Sequence, residues 1–108
     1  MTPLSAAEAL MLVAFRHALT APNAEEGMER LRSLLGNTFD EEALHAAIAD
    51  CLRRGEIRDP VRLPPGALQC HWHLELSPKG VETVRRLLAE RSAEAEHLLK
   101  NLPNHLRD

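Results

Sequence analysis

Residues 68–76 read Leu-Gln-Cys-His-Trp-His-Leu-Glu-Leu, and apolar and polar side chains alternate through the whole stretch. An alternation of period two is the signature of a strand with one packed and one wet face. The segment before it, Glu56 to Leu63, is a weaker strand: Ile57, Val61 and Leu63 face in and Arg58 and Arg62 face out. Pro60 cannot donate to a ladder, which places that strand at an edge or a bulge. Pro64-Pro65-Gly66-Ala67 makes the turn between the two. A hairpin this short has no independent stability, so helices must supply the surface that it packs on.

Those helices are legible from their caps. Ser5-Ala6-Ala7-Glu8 is a capping box, followed by Ala9-Leu10-Met11-Leu12-Val13-Ala14-Phe15, which is apolar almost all round. Such a helix is buried on most faces, in its own domain or in a partner, and Pro22 requires it to end near Leu19. Asn23 with Glu26 starts a second helix to about Leu35, with Met28, Leu31, Leu34 and Leu35 as its stripe and Gly36-Asn37 as its stop. Thr38-Phe39-Asp40-Glu41 reads as a third capping box. The helix it opens runs from Phe39 to Arg54, buries Phe39, Ala43, Leu44, Ala47, Ile48, Cys51 and Leu52, and is stopped by Gly55. Ser77 and Pro78 start a last helix whose apolar residues Val81, Val84, Leu88, Ala95, Leu98 and Leu102 step by three and four, interrupted by Arg91.

That last stripe spans roughly six turns, about 36 Å at helical pitch, longer than a small domain covers by itself. Its surplus is most simply buried by the same helix of a second copy, so Val81, Val84, Leu88, Ala95, Leu98 and Leu102 are the expected homodimer interface. The expected organisation is a single domain over residues 1–108. It has a helical core and hairpin over 5–76, a long terminal helix over 77–102 and a tail over 103–108. The class is mainly α with a β-hairpin (α+β), in the order α-α-α-β-β-α.

Composition limits what such a domain does. Only Phe15, Phe39 and Trp72 are aromatic, so the core is aliphatic and offers little to line a flat effector cavity near Trp72 and Phe15. No Ser-His-Asp arrangement, phosphate-cradling loop or paired-carboxylate signature is present, so the chain does not read as an enzyme and no cofactor is expected. His71 and His73 share a strand face about 7 Å apart, a spacing open to a metal, with His45 or Glu75 to complete a set. Polar surface is the simpler reading, and no metal site is expected. Cys51 and Cys70 fall on apolar faces and read as free thiols. There is no signal-peptide pattern and no apolar run of membrane-spanning length, so a cytoplasmic location without membrane contact is expected.

Two phrases resemble a known family. Ala46-Ala47-Ile48-Ala49-Asp50-Cys51-Leu52-Arg53-Arg54-Gly55-Glu56-Ile57-Arg58 is similar to the end of the recognition helix and start of the wing in bacterial winged helix-turn-helix repressors. His73-Leu74-Glu75-Leu76-Ser77-Pro78-Lys79-Gly80 is similar to the Tyr-x-Leu-Thr-x-x-Gly that follows the wing in the PadR and MarR families. The element order is closest to PadR-like regulators, which dimerise through the terminal helix; the resemblance covers about Leu10 to Leu88. It implies a dimeric transcriptional regulator that binds duplex DNA. Thr38, His45, Arg53, Arg54, Arg58, Arg62 and Lys79 are its candidate DNA contacts. The charges pull the other way. Net charge is −3, the third helix opens on Asp40, Glu41 and Glu42, and the hairpin turn carries no cation. The alternative expectation is therefore a winged-helix adaptor that binds protein instead of DNA.

Overall fold

A computed structural model describes residues 3–17, 19–60 and 72–102. The elements are α1 (Ala6–Arg16), β1 (Leu19–Ala21), α2 (Ala24–Leu34), α3 (Glu41–Arg53), β2 (Trp72–Leu74), α4 (Pro78–Glu90) and α5 (Ser92–Lys100). The architecture is mainly helical with one two-stranded antiparallel sheet, an α+β arrangement.

Helix α1 is the centre of the packing. Its capping box is complete: the Ser5 hydroxyl accepts from the Glu8 amide and the Glu8 carboxylate accepts from the Ser5 amide. Ala9 through Val13 are all buried, because α3, α4 and α5 each pack against this helix. Full burial of a Leu, Met or Val side chain is worth about 1.5–3 kcal/mol, so this run alone is a large share of the core. The apolar circumference of α1 is covered by the chain itself. Phe15, one turn on, is the exception and stands 41% exposed.

The helix also stops earlier than its sequence pattern indicates, and a strand takes its place. Leu19, Thr20 and Ala21 pair antiparallel with Leu74, His73 and Trp72. Leu19 and Ala21 are buried and Thr20 is exposed. Three residues have no strand stability of their own; β1 exists because β2 offers it a ladder. Trp72 is then pressed on α2 at Gly27, where a Cβ would run into the indole ring.

The helix caps are set by local side chains. Asn23 accepts from the Glu26 amide at 2.8 Å. Gly36 and Asn37 both take positive φ and end the turn after α2. The cap of α3 is Asp40, accepting from the Ala43 amide at 2.7 Å, in place of the box that begins at Thr38. Helix α3 accordingly starts at Glu41, with Phe39 half-buried before it. Leu52, expected on its inward stripe, is 38% exposed.

Of the expected hairpin, residues 56–60 and 72–76 lie within the described residues. Ile57 bridges to Leu76, the Arg58 amide donates to the Glu75 carbonyl at 3.0 Å, and the His73 amide donates to the Pro60 carbonyl at 2.8 Å. Within 72–76 Trp72 and Leu74 are buried and Glu75 is exposed, as expected, but His73, expected on the wet face, is largely covered and Leu76 is half-buried. The expected turn at 64–67, with Arg62, Cys70 and His71, lies outside the described residues.

The largest departure is at the C-terminal end. A continuous helix over 77–102 is expected, but the helix breaks at Arg91, whose backbone has φ −130° and ψ 45°. Helix α5 folds back onto α1 and α4, and Ala95 is completely buried. The Arg91 guanidinium holds the corner, reaching Glu8 at 3.3 Å and Glu94 at 3.1 Å. The interruption in the apolar stripe is a corner.

Candidate interaction surface

Helix α3 buries Leu44, Ala47, Ile48 and Cys51 against the core. The opposite face carries Glu42, His45, Ala46, Ala49, Leu52 and Arg53, all exposed and spaced by three and four residues. Its middle is small and apolar, because Ala46, Ala49 and Leu52 follow one another along it. Acid stands at its start, where Glu41 and Glu42 face the positive end of the helix dipole.

The expected DNA contacts separate into two groups once their partners are known. His45 lies 3.6 Å from Glu41. Arg53 donates to Asp50 at 2.6 Å. Arg58 lies 3.5 Å from Glu75. In each of these pairs both side chains are 43% exposed or more, and exposed pairs contribute only about 0–1 kcal/mol. Arg54 and Lys79 are held differently. Arg54 Nε donates to the Glu56 carboxylate at 2.7 Å, and the Lys79 ammonium donates to the Arg54 carbonyl at 2.6 Å. Thr38 is exposed on the turn before α3, and its amide donates to the Leu35 carbonyl. Arg62 is outside the described residues.

Glu56 is the centre of that second group, and nothing in its sequence context marks it. It is the one buried charged side chain among the described residues, 6% exposed, between the end of α3 and the start of α4. Its carboxylate accepts from Arg54 and, at 2.7 Å, from the Thr83 hydroxyl. Burial pushes the carboxyl pKa up. The hydrogen bonds from Arg54 and Thr83, with the Arg54 and Lys79 charges, outweigh burial and hold it below the ordinary carboxylate value. The main chain closes the same junction. The Ser77 amide donates to the Glu56 carbonyl at 3.0 Å and the Ser77 hydroxyl to the Gly55 carbonyl. A Cβ at Gly80 would collide with the Glu56 carbonyl. The Ser-Pro-Lys-Gly phrase therefore has a structural use: Ser77 ties α4 to the end of α3, and Gly80 lets the two backbones meet. Arg54 and Lys79 act as parts of this latch.

The expected dimer residues also separate. Val84 and Ala95 are wholly buried within the chain. Leu88, Leu98 and Leu102 are partly buried against the chain's own core, and Val81 is half-buried. The stripe that called for a second copy is thus covered in large part by α1, because α5 folds back; the length argument for a dimer does not survive the corner at Arg91.

Cys51 is fully buried, and burial pushes its thiol up to about 11, against the opposing charge of Arg54. This is a packed core thiol. His73 is packed into the strand, 3.7 Å from Glu75 through Nε2, while its Nδ1 is buried with no hydrogen-bond partner among the described residues. Among the described residues no three His, Cys, Asp or Glu side chains gather in a metal-binding group. No helix among them is long and apolar enough to cross a membrane. Comparison with protein-family models, curated proteins and solved structures returns no match for this chain.

Proposed function

We propose that this chain is a winged-helix interaction module whose α3 face docks a protein partner. The winged-helix reading is supported by the order of elements and by the way that the hairpin's return strand pairs with β1, between α1 and α2. It is also supported by the latch that seats the hairpin base on α4. In this reading α3 is the recognition helix, and residues 56–60 and 72–76 are the described base of the wing.

One observation carries the choice of partner. Of the described basic groups expected to grip DNA, Arg54 and Lys79 are held in the Glu56 latch, while the exposed face of α3 opens on Glu41 and Glu42. A helix entering the major groove sets its N-terminal half closest to base edges and phosphates, where two carboxylates oppose binding. A protein surface with an apolar knob and a basic rim suits the face better. Ala46, Ala49 and Leu52 receive the knob, and Glu41 and Glu42 meet the rim.

The test places a photo-crosslinking side chain at Ala49 and, separately, at Arg86 on the exposed side of α4. The expected result is a discrete adduct from Ala49 alone, competed by unlabelled chain and not by the Leu52→Asp chain. Equal adducts from both positions, or none from Ala49, would overturn the reading.

Duplex DNA is the second reading, favoured by one specific observation. Arg53 and Arg58 are 72% and 57% exposed in their side chains, so their ion pairs can be exchanged for phosphate at little cost. DNA binding through these two residues predicts a shallow salt dependence, with a slope of about −0.9 for each phosphate neutralised.

A further inference from the structure

A half-open cavity of about 700 Å³ lies among the described residues, away from α3's exposed face. Four stretches that are distant in sequence meet there: the segment before α1, the end of α2, the turn into α3, and α5. Leu4, Leu34, Phe39, Leu98 and Leu102 form its apolar wall. Thr38, His97 and Asn101 supply hydrogen-bonding groups at the same wall. His97 on α5 and Asn101 at its C-cap sit one turn apart, with Asn101 Nδ2 donating to the His97 carbonyl at 2.8 Å.

Size and charge select the occupant. The volume lies inside the range of about 300–1,000 Å³ typical of small-molecule sites. Thirteen residues line it, fewer than the roughly 20–30 per side that a stable protein interface uses. That makes it too small for a second copy. The one formally charged residue on the described wall is Glu94, an acid, so an anionic head group is disfavoured. We propose that this cavity binds a small neutral amphipathic molecule, with its apolar body against Leu34, Phe39 and Leu98 and its polar head at His97 and Asn101.

The position of the cavity gives such binding a consequence. Thr38 and Phe39 are the last residues before the Asp40 cap of α3. A ligand wedged against them bears on the turn that sets where α3 begins, and thereby on the recognition face. This regulatory step rests on the proposed use of α3; the binding itself does not.

N-phenyl-1-naphthylamine, neutral and fluorescent in apolar surroundings, is the probe. Titrated against the full chain, it is expected to show saturable one-to-one binding and to raise the melting temperature. Ala93→Trp, at an exposed position on the cavity wall, is expected to weaken binding by about tenfold or more, one decade in Kd. Arg85→Trp, exposed on α4, is expected to leave it unchanged. Circular dichroism and cooperative melting establish that both variants fold. The anionic 1-anilinonaphthalene-8-sulfonate is expected to bind more weakly than the neutral probe.

Non-saturable binding, equal weakening by both variants, or a preference for the anion would overturn the proposal. So would binding that appears only when the chain is ended at Leu102, since the occupant would then be residues 103–108. Concentration-dependent self-association abolished by Ala93→Trp would assign the cavity to a second copy instead. Because probe binding is read without any partner of α3, its failure is distinct from failure of the crosslinking test.

Discussion

Gly80→Ala sets two effects of opposite sign against each other. Gly80 lies in the first turn of α4, and replacing Gly by Ala inside a helix ordinarily stabilises by about 0.8–1.0 kcal/mol. Here the added methyl meets the Glu56 carbonyl. That carbonyl is main chain and accepts from the Ser77 amide at 3.0 Å, while Ser77 also donates to Gly55. It cannot retreat without lengthening those bonds. Overpacking against an unyielding neighbour costs about 1–3 kcal/mol, and weakening one buried main-chain hydrogen bond adds about 0.5–1.5 kcal/mol. After the gain in propensity, net destabilisation of roughly 0.5–3.5 kcal/mol is expected. Urea unfolding followed by far-ultraviolet circular dichroism measures it, as a lower midpoint at unchanged slope. A neutral or stabilised Gly80→Ala chain refutes the close approach of α4 to the end of α3, and the latch with it.

Glu56→Gln removes the charge that Arg54 and Thr83 satisfy, and a loss of about 1–3 kcal/mol is expected at neutral pH. Because the folded carboxyl titrates below its ordinary value, this stability is fully present above the unfolded pKa, about 4.3, and is lost as pH falls through the folded value. The gap between the two chains should therefore close in acid, and a pH-independent gap in unfolding free energy would contradict the assignment. Gly27→Ala sets a methyl against the Trp72 indole. A destabilisation of about 1–3 kcal/mol with an altered near-ultraviolet tryptophan signal is expected, and an unchanged signal counts against this packing. In a Cys70→Ser chain, Cys51 is expected to resist a disulfide reagent at pH 8 until denaturant is added, since its thiol is pushed up to about 11. Prompt labelling of the folded protein would show that it is not in the core.

Local chemistry was legible and long-range chemistry was not. The Ser5, Asn23 and Ser77 caps, the Gly36-Asn37 stop and the inward alternation of Trp72 and Leu74 follow from side chains acting within a few residues. The β1 strand is invisible in sequence because Leu19-Thr20-Ala21 has no period of its own; pairing with residues 72–74 makes it. The corner at Arg91 was visible as an interruption, but an interrupted stripe fits a long helix with a polar gap as well as a fold-back. The distant Glu8 anchoring Arg91 decides between them. On the candidate surface, the winged-helix resemblance grouped Arg53, Arg54, Arg58, Arg62 and Lys79 at the base of the expected wing. Sequence could not separate exposed Arg53 and Arg58 from latched Arg54 and Lys79, because the separating partners are the buried Glu56 carboxylate, which holds Arg54, and the Arg54 carbonyl, which holds Lys79. The cavity was equally hidden, being assembled from four separate stretches.

The proposed protein-docking role of the α3 face rests on the carboxylates Glu41 and Glu42 at its start and on the engagement of Arg54 and Lys79 in the Glu56 latch. Fluorescence anisotropy of a labelled random-sequence duplex, titrated at low and at physiological salt, tests this most directly. No saturable binding is expected in the range of about 10⁻⁴–10⁻⁶ M that non-specific DNA binders reach at physiological salt. Saturable binding that strengthens as salt falls, and is lost in a chain carrying Arg53→Glu and Arg58→Glu, would contradict the docking role and assign the surface to DNA.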